Sequence, residues 1–139
     1  NPSEGFAWLF LGLLCAFKGE AEEAVRSAHR AIALSPMDPL RYYYESLIAS
    51  CEYSAGRFDE AIRWCESSRR RNRQHLSTLR LLIAALCASD RLMEARAVAS
   101  ELLRMRPEYT VANYESHSVA VQYPFGQQVA RAMREAGIP

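Results

Sequence analysis

Apolar residues along this chain recur every three or four positions, in blocks separated by glycine, aspartate or proline, and no block sustains an alternation of period two. Helices are therefore expected from end to end, with no strand. Ser3 is placed to cap a first helix over about 4–18, and Gly19 supplies the left-handed residue that stops it. A second helix over about 20–34 opens with Glu20, Glu22 and Glu23, which complement its dipole, and Ser35-Pro36 ends it. Asp38 as cap and Pro39 in the first turn begin a third helix that reaches about residue 54 and stops at Gly56. Further helices follow over about 58–71, 74–88 and 92–105, the last closed by Arg106-Pro107, and a shorter one over about 109–118. Tyr123-Pro124 then breaks the chain ahead of a last amphipathic helix over about 125–136, which carries Phe125, Val129 and Met133 on one face before Gly137 and Pro139.

The blocks repeat. Gly19, Ala21 and Ala24 return 37 positions later as Gly56, Phe58 and Ala61, and after a further 34 as Asp90, Leu92 and Ala95. Aspartate in place of glycine is tolerable because it enters the left-handed region more readily than most residues. Within the first copy Trp8, Leu11 and Gly12 precede the glycine, and Ala24, Ala28 and Ala31 form a small-residue stripe that lets two helices approach closely. This is the helix-turn-helix unit of a tetratricopeptide repeat, whose period is about 34 residues. The expected fold is all-α: a right-handed superhelix of helical hairpins, with repeats over about 5–38, 42–75 and 76–109 and a C-terminal cap over about 110–139, all in one domain. A solenoid needs such a cap to close its last open face.

The segments LSPMDPLRYYY, SAGRFDEAIRWC, TLRLLIAALCASDRLMEAR, LLRMRPEYTVA and VARAMREAGIP resemble the tetratricopeptide tail at the C-terminus of many bacterial class III adenylate/guanylate cyclases. Similar tails sit behind winged-helix DNA-binding domains. Within the pattern, Cys15 stands where tyrosine is usual and Arg73 where the second repeat ordinarily ends in proline. The resemblance implies a non-catalytic regulatory or interaction module of a larger bacterial signalling protein, with any nucleotide chemistry upstream, and the scattered cysteines are those expected of a reduced, cytoplasmic protein. The chain opens at Asn1, so a longer parent is expected. A small-ligand-sensing tail is the alternative, favoured by a groove closed into a pocket, whereas an open trough favours an extended peptide.

Composition excludes more than it assigns. The 139 residues carry a formal net charge of +1, which gives no electrostatic case for nucleic acid or an anionic membrane. The run from Gly5 to Phe17 is apolar but too short to span a bilayer. Cys15, Cys51, Cys65 and Cys87 show no CxxC pairing and read as small reduced thiols. His29, His75 and His117 lie far apart, Glu22 and Glu23 point to different sides of a helix, and no phosphate-cradling glycine motif occurs, so no catalytic, cofactor or metal residue is nominated. Arg69, Arg70, Arg71 and Arg73 sit at a helix C-terminus, where positive charge suits the dipole.

Binding residues follow from helical spacing on the first helix of each hairpin, the one that lines the concave side of such a stack. Tyr43, Ser46, Ser50 and Tyr53, then Ser77, Arg80, Ala84 and Cys87, with Tyr114 and Ser118 beyond, form the expected groove for a protein or peptide partner. Phe6, Leu9, Leu13 and Phe17 are the groove-facing set of the first hairpin by the same spacing, and they are also expected to serve self-association or contact with an upstream repeat, because the first helix is apolar on all sides. Chaperone-binding repeats clamp a peptide carboxylate with lysine and asparagine on this face; Leu9 and Leu13 take those places here.

Overall fold

The residues read as helix stops do adopt left-handed backbone: φ is +79° at Gly19, +77° at Gly56 and +57° at Asp90. Each sits in the same pair of hydrogen bonds. Gly19 N–H donates to the Ala16 carbonyl and Glu20 N–H to that of Cys15; Gly56 and Arg57 donate to Tyr53 and Glu52; Asp90 and Arg91 donate to Cys87 and Leu86. These bonds satisfy carbonyls that a helix end leaves free and turn the chain back on itself.

The computed structural model describes residues 2–34 and 36–139, without the side chains of Pro2 and Ser3, so the Ser3 cap and the role of Ser35 lie outside the described residues. Eight α-helices are seen among them: α1 Pro2–Lys18, α2 Ala21–Leu34, α3 Arg41–Ser54, α4 Phe58–Arg71, α5 Leu76–Ala88, α6 Leu92–Met105, α7 Val111–His117 and α8 Pro124–Glu135, with a 3-10 turn Val119–Gln122 before α8. No strand occurs among the described residues. Helices α1/α2, α3/α4 and α5/α6 pair as hairpins, and successive hairpins stack through α2 on α3 and α4 on α5.

Small residues set the spacing inside the hairpins. A Cβ on Gly12 would lie 3.0 Å from the Ala24 carbonyl oxygen and 3.3 Å from Ala28 N. The matching seam positions Ala24, Ala28 and Ala31 in α2, Ala61, Cys65 and Ser68 in α4, and Ala95, Ala99 and Leu102 in α6 are all buried. Hydroxyls then stitch hairpin to hairpin: Ser68 Oγ donates to the Tyr42 carbonyl (2.6 Å) and shares a hydrogen bond with Thr78 Oγ1 (2.8 Å), while Ser54 Oγ donates to the Ala16 carbonyl (2.8 Å).

Three starts differ from the sequence pattern. Asp38 does not cap α3 directly; it organises the turn ahead of it, its carboxylate accepting from Leu40 N–H (2.7 Å) and the Tyr44 hydroxyl (3.1 Å). The fifth helix starts at Leu76, two residues late, after Asn72 Oδ1 accepts from Gln74 N–H (3.0 Å) and holds that residue in a turn. The seventh starts at Val111 because Thr110 Oγ1 accepts from Asn113 N–H (3.0 Å), a cap that the pattern did not single out.

The last helix does more than cover the end of the stack. It packs along α5 and the 3-10 turn and reaches α1, so it crosses the concave side formed by α1, α3 and α5. Val129 and Met133 are buried as expected, and Phe125 wedges between Phe17 (ring centroids 5.2 Å apart) and Tyr53 (5.6 Å, edge-on at 89°). Gly126 permits this approach, since a Cβ there would fall 2.2 Å from the backbone carbon of Ala120. Replacing Gly126 by alanine is expected to cost about 1–3 kcal/mol through overpacking, and Gly56→Ala about 1 kcal/mol or more through the left-handed backbone. Urea melts followed by circular dichroism check both.

Candidate functional site

Where α1, α3 and α5 lie side by side, the cap helix roofs part of their concave face and leaves a cavity of about 190 Å³. Leu13 and Phe17 enter it from α1, Tyr43, Ser46, Leu47 and Ser50 from α3, and Ser77, Arg80 and Leu81 from α5. Tyr114 of α7, with Ser118 and Ala120 around the 3-10 turn, closes one side, and Phe125 and Val129 of α8 close the other. The helical spacing of three and four residues explains why each helix supplies its own column of side chains.

Polarity is segregated within the cavity. Arg80 is the only charged residue lining it among those described. Its Nη2 donates to Ser77 Oγ (2.8 Å), its Nη1 to the Tyr109 hydroxyl (3.4 Å), and its guanidinium carbon stands 5.2 Å from the centre of the Tyr114 ring. Burial raises the Tyr114 phenol above its ordinary pKa, keeping it a neutral donor. Nearby, His75 shares a hydrogen bond with Thr78 Oγ1 (2.8 Å) and meets the edges of Tyr42 and Tyr43. Burial lowers its pKa below 6.5, with the Arg80 charge adding to the effect.

Seven of the ten groove residues expected beyond the first helix come together: Tyr43, Ser46, Ser50, Ser77, Arg80, Tyr114 and Ser118. Tyr53 does not line this cavity. Phe58 and Phe125 cover it, and burial lifts its phenol to about 12. Ala84 is 1% exposed and belongs to the core, while Cys87 sits at the edge of α8, where its thiol donates to the Ala132 carbonyl. Phe125, Val129 and Ala120 were not foreseen in the site, because the cap is not a copy of the repeat and its docking position has no periodic signal.

The first helix also divides differently. Leu9 is fully buried with Ala31, Tyr44 and Leu47, and Phe6 packs edge-on against Tyr44 (5.4 Å). Leu13 and Phe17 face the cavity. The four residues expected to form an external interface are thus drawn inward by α3 and the cap, and the apolar positions left in solvent are Phe10 (52% exposed), Leu11 and Leu14.

Charged residues elsewhere serve the stack. Arg69 pairs with Glu66 and Glu101, Arg73 with Glu101, and Arg71 with Glu45. Two buried glutamates on α3, absent from the sequence reading, anchor such pairs: Glu45 accepts from Arg41 (2.9 Å) and Arg71 (3.2 Å), and Glu52 from Arg57 (2.8 Å) and His29 (3.3 Å). Arg41 and Arg57 lie four and five residues from their glutamates, but Arg71 and His29 stand 26 and 23 residues away and carry no local sequence signal. All four thiols are raised in pKa chiefly by burial, Cys51 to about 12, so they lack the thiolate character of nucleophiles. Among the described residues, no group of three or more histidine, cysteine, aspartate or glutamate side chains could hold a metal ion, and no helix is long and apolar enough to cross a membrane.

No family model matches the chain, and no curated protein matches it in sequence. Solved structures do match in shape. The first TPR domain of Spaghetti (RPAP3) bound to the HSP90 peptide SRMEEVD superposes with a TM-score of 0.68 at 18% identity, covering 96% of this chain and 98% of that one. The Arabidopsis OM64 TPR domain gives 0.69 at 16%, over 96% and 97%. The first TPR domain of human RPAP3 gives 0.69 at 18%, over 98% and 97%. The fold is that of a tetratricopeptide repeat domain.

In this TPR solenoid the site lies on the concave side and is partly roofed by the chain's own last helix. Beside the site stands His75, whose pKa burial depresses. Because its folded pKa is depressed, the stability it contributes is fully present above about pH 6.5 and is lost as pH falls through the folded value. His75→Gln is expected to flatten the stability slope between about pH 7 and 5, which thermal melts across that range will read.

Proposed function

We propose that this chain is a non-catalytic protein-interaction module that recognises a protein or peptide partner on its concave face. The observation that carries this reading is the convergence of Tyr43, Ser46, Ser50, Arg80 and Tyr114 from three helices, α3, α5 and α7, into one lined depression. Tyrosine and arginine supply rigid area and directional donors, the residue types that dominate binding hot spots. The RPAP3 domain that this fold resembles holds a peptide ending EEVD, which supports the class of partner. It is not expected to be the same peptide, because α1 presents Leu13 and Phe17 to the cavity where a carboxylate clamp needs polar donors.

The resemblance of segments such as SAGRFDEAIRWC and VARAMREAGIP supports a finer reading: a cytoplasmic regulatory tail of a bacterial signalling protein such as an adenylate/guanylate cyclase, organised as one domain with repeats over about 5–38, 42–75 and 76–109. The apolar positions Phe10, Leu11 and Leu14 support self-association of two copies through α1, since an uncharged stripe is complementary to itself across a two-fold axis.

Two measurements test these readings. Pull-down with the purified chain is expected to lose its captured partners on Tyr43→Ala and on Arg80→Gln, by about tenfold in affinity, while Arg96→Ala on the far side of the stack retains them; equal capture by all variants removes the concave face from the reading. Light scattering is expected to show a mass that rises with concentration and returns to monomer in Phe10→Glu, whereas a strict monomer at high concentration ends the self-association reading.

A further inference from the structure

The cavity holds an imbalance that a peptide groove does not require. Three arginines in the chain are not exposed: Arg41, Arg69 and Arg80. Arg41 and Arg69 each reach a glutamate, but Arg80 has only the neutral hydroxyls of Ser77 and Tyr109 and the face of Tyr114. No carboxylate lines the space it faces. A guanidinium in a partly roofed space keeps its charge, and the field it creates there is compensated most strongly by an anion that enters it.

A second observation points the same way. Ser46 is 2% exposed, borders the cavity, and its hydroxyl forms no hydrogen bond to any other described residue. The hydroxyl opens to the cavity, where a ligand oxygen would supply it with a partner. Opposite the arginine, Leu13, Phe17, Leu47, Phe125 and Val129 give an apolar wall. At about 190 Å³ the space falls below the roughly 300–1,000 Å³ typical of sites for drug-sized ligands.

We propose that this cavity binds a small monocarboxylic acid with an apolar body, its carboxylate held by Arg80 beside Ser77 and its body packed under the cap between Phe17, Phe125 and Val129. One arginine with flanking hydroxyls matches a single negative charge, since the planar guanidinium meets a carboxylate with two parallel N–H donors. A second charge on the ligand would be driven against the apolar wall without a partner. The acid would occupy the same depression that the proposed function assigns to a peptide, but it is enclosed partly by α8, so its binding stabilises the cap against the stack, and it needs no macromolecular partner.

Isothermal titration calorimetry on the whole chain tests this with 3-phenylpropanoate and hexanoate as probes, 3-phenylpropanamide as the neutral isostere, succinate as the dianion, and a hexapeptide ending in phenylalanine. The two monoacids are expected to bind saturably with Kd of about 10 µM to 1 mM, the amide and succinate at least about tenfold more weakly. Arg80→Gln is expected to weaken the acids by a similar factor, and Ser46→Leu, which fills the cavity, to abolish them; circular dichroism identifies any variant that misfolds, and the comparison of acid with amide on the unmodified chain needs no variant. The proposal is overturned by absence of saturable acid binding up to about 10 mM, by equal binding of acid and amide, by unchanged affinity in folded Arg80→Gln, or by binding of the hexapeptide alone. Partner capture is read separately by pull-down, and absence of acid binding leaves the peptide reading standing.

Discussion

Close contact between two helix backbones is the constraint on which this structure rests. In every hairpin the second helix offers three seam positions in the same register, and alanine, cysteine or serine fills eight of them before Leu102 ends the series. With Gly12 facing Ala24 and Ala28, the helices come close enough for backbone atoms to touch. Larger side chains there would pry each pair apart and change the angle between successive pairs, and the concave face would lose its curvature. The reversals at Gly19, Gly56 and Asp90 serve the same end, because a seam works only if the second helix starts in fixed register with the first.

These features were legible because they are periodic. Three copies of a turn followed by a small-residue stripe define helix boundaries, pairing order and, through helical spacing, which side chains share a face. Tyr43, Ser46, Ser50, Arg80 and Tyr114 were found that way. Tyr53 and Ala84 obey the same spacing yet lie under the cap or in the core, since spacing gives direction but not cover. The cap itself, with its amphipathic face of Phe125, Val129 and Met133, announced that it would pack against something. Its course across the concave side depended on Gly126 against Ala120, a contact outside any repeat.

The first helix shows the opposite limit. Apolar on every side, it carries no pattern by which its orientation can be read, so Leu9 and Phe10 look equivalent in sequence although one is fully buried and the other half exposed. Glu45 and Glu52 were equally silent: each is a charged residue inside a buried face of α3, and one of its two partners, Arg71 or His29, comes from a distant part of the chain. Removing both Arg41 and Arg71 would leave the Glu45 charge buried without a cation beside it, a strong destabilisation.

Stacked helical hairpins ordinarily behave like a spring, because each unit touches only its neighbours and small rotations add along the axis. Here the aromatic contact of Phe17 with Phe125 and Tyr123 ties the first helix to the last. The stack is thereby latched at both ends, like a bow with its string drawn. It can stretch or change pitch only after those rings part, so whatever pulls the latch open or holds it shut sets the stiffness of the whole array.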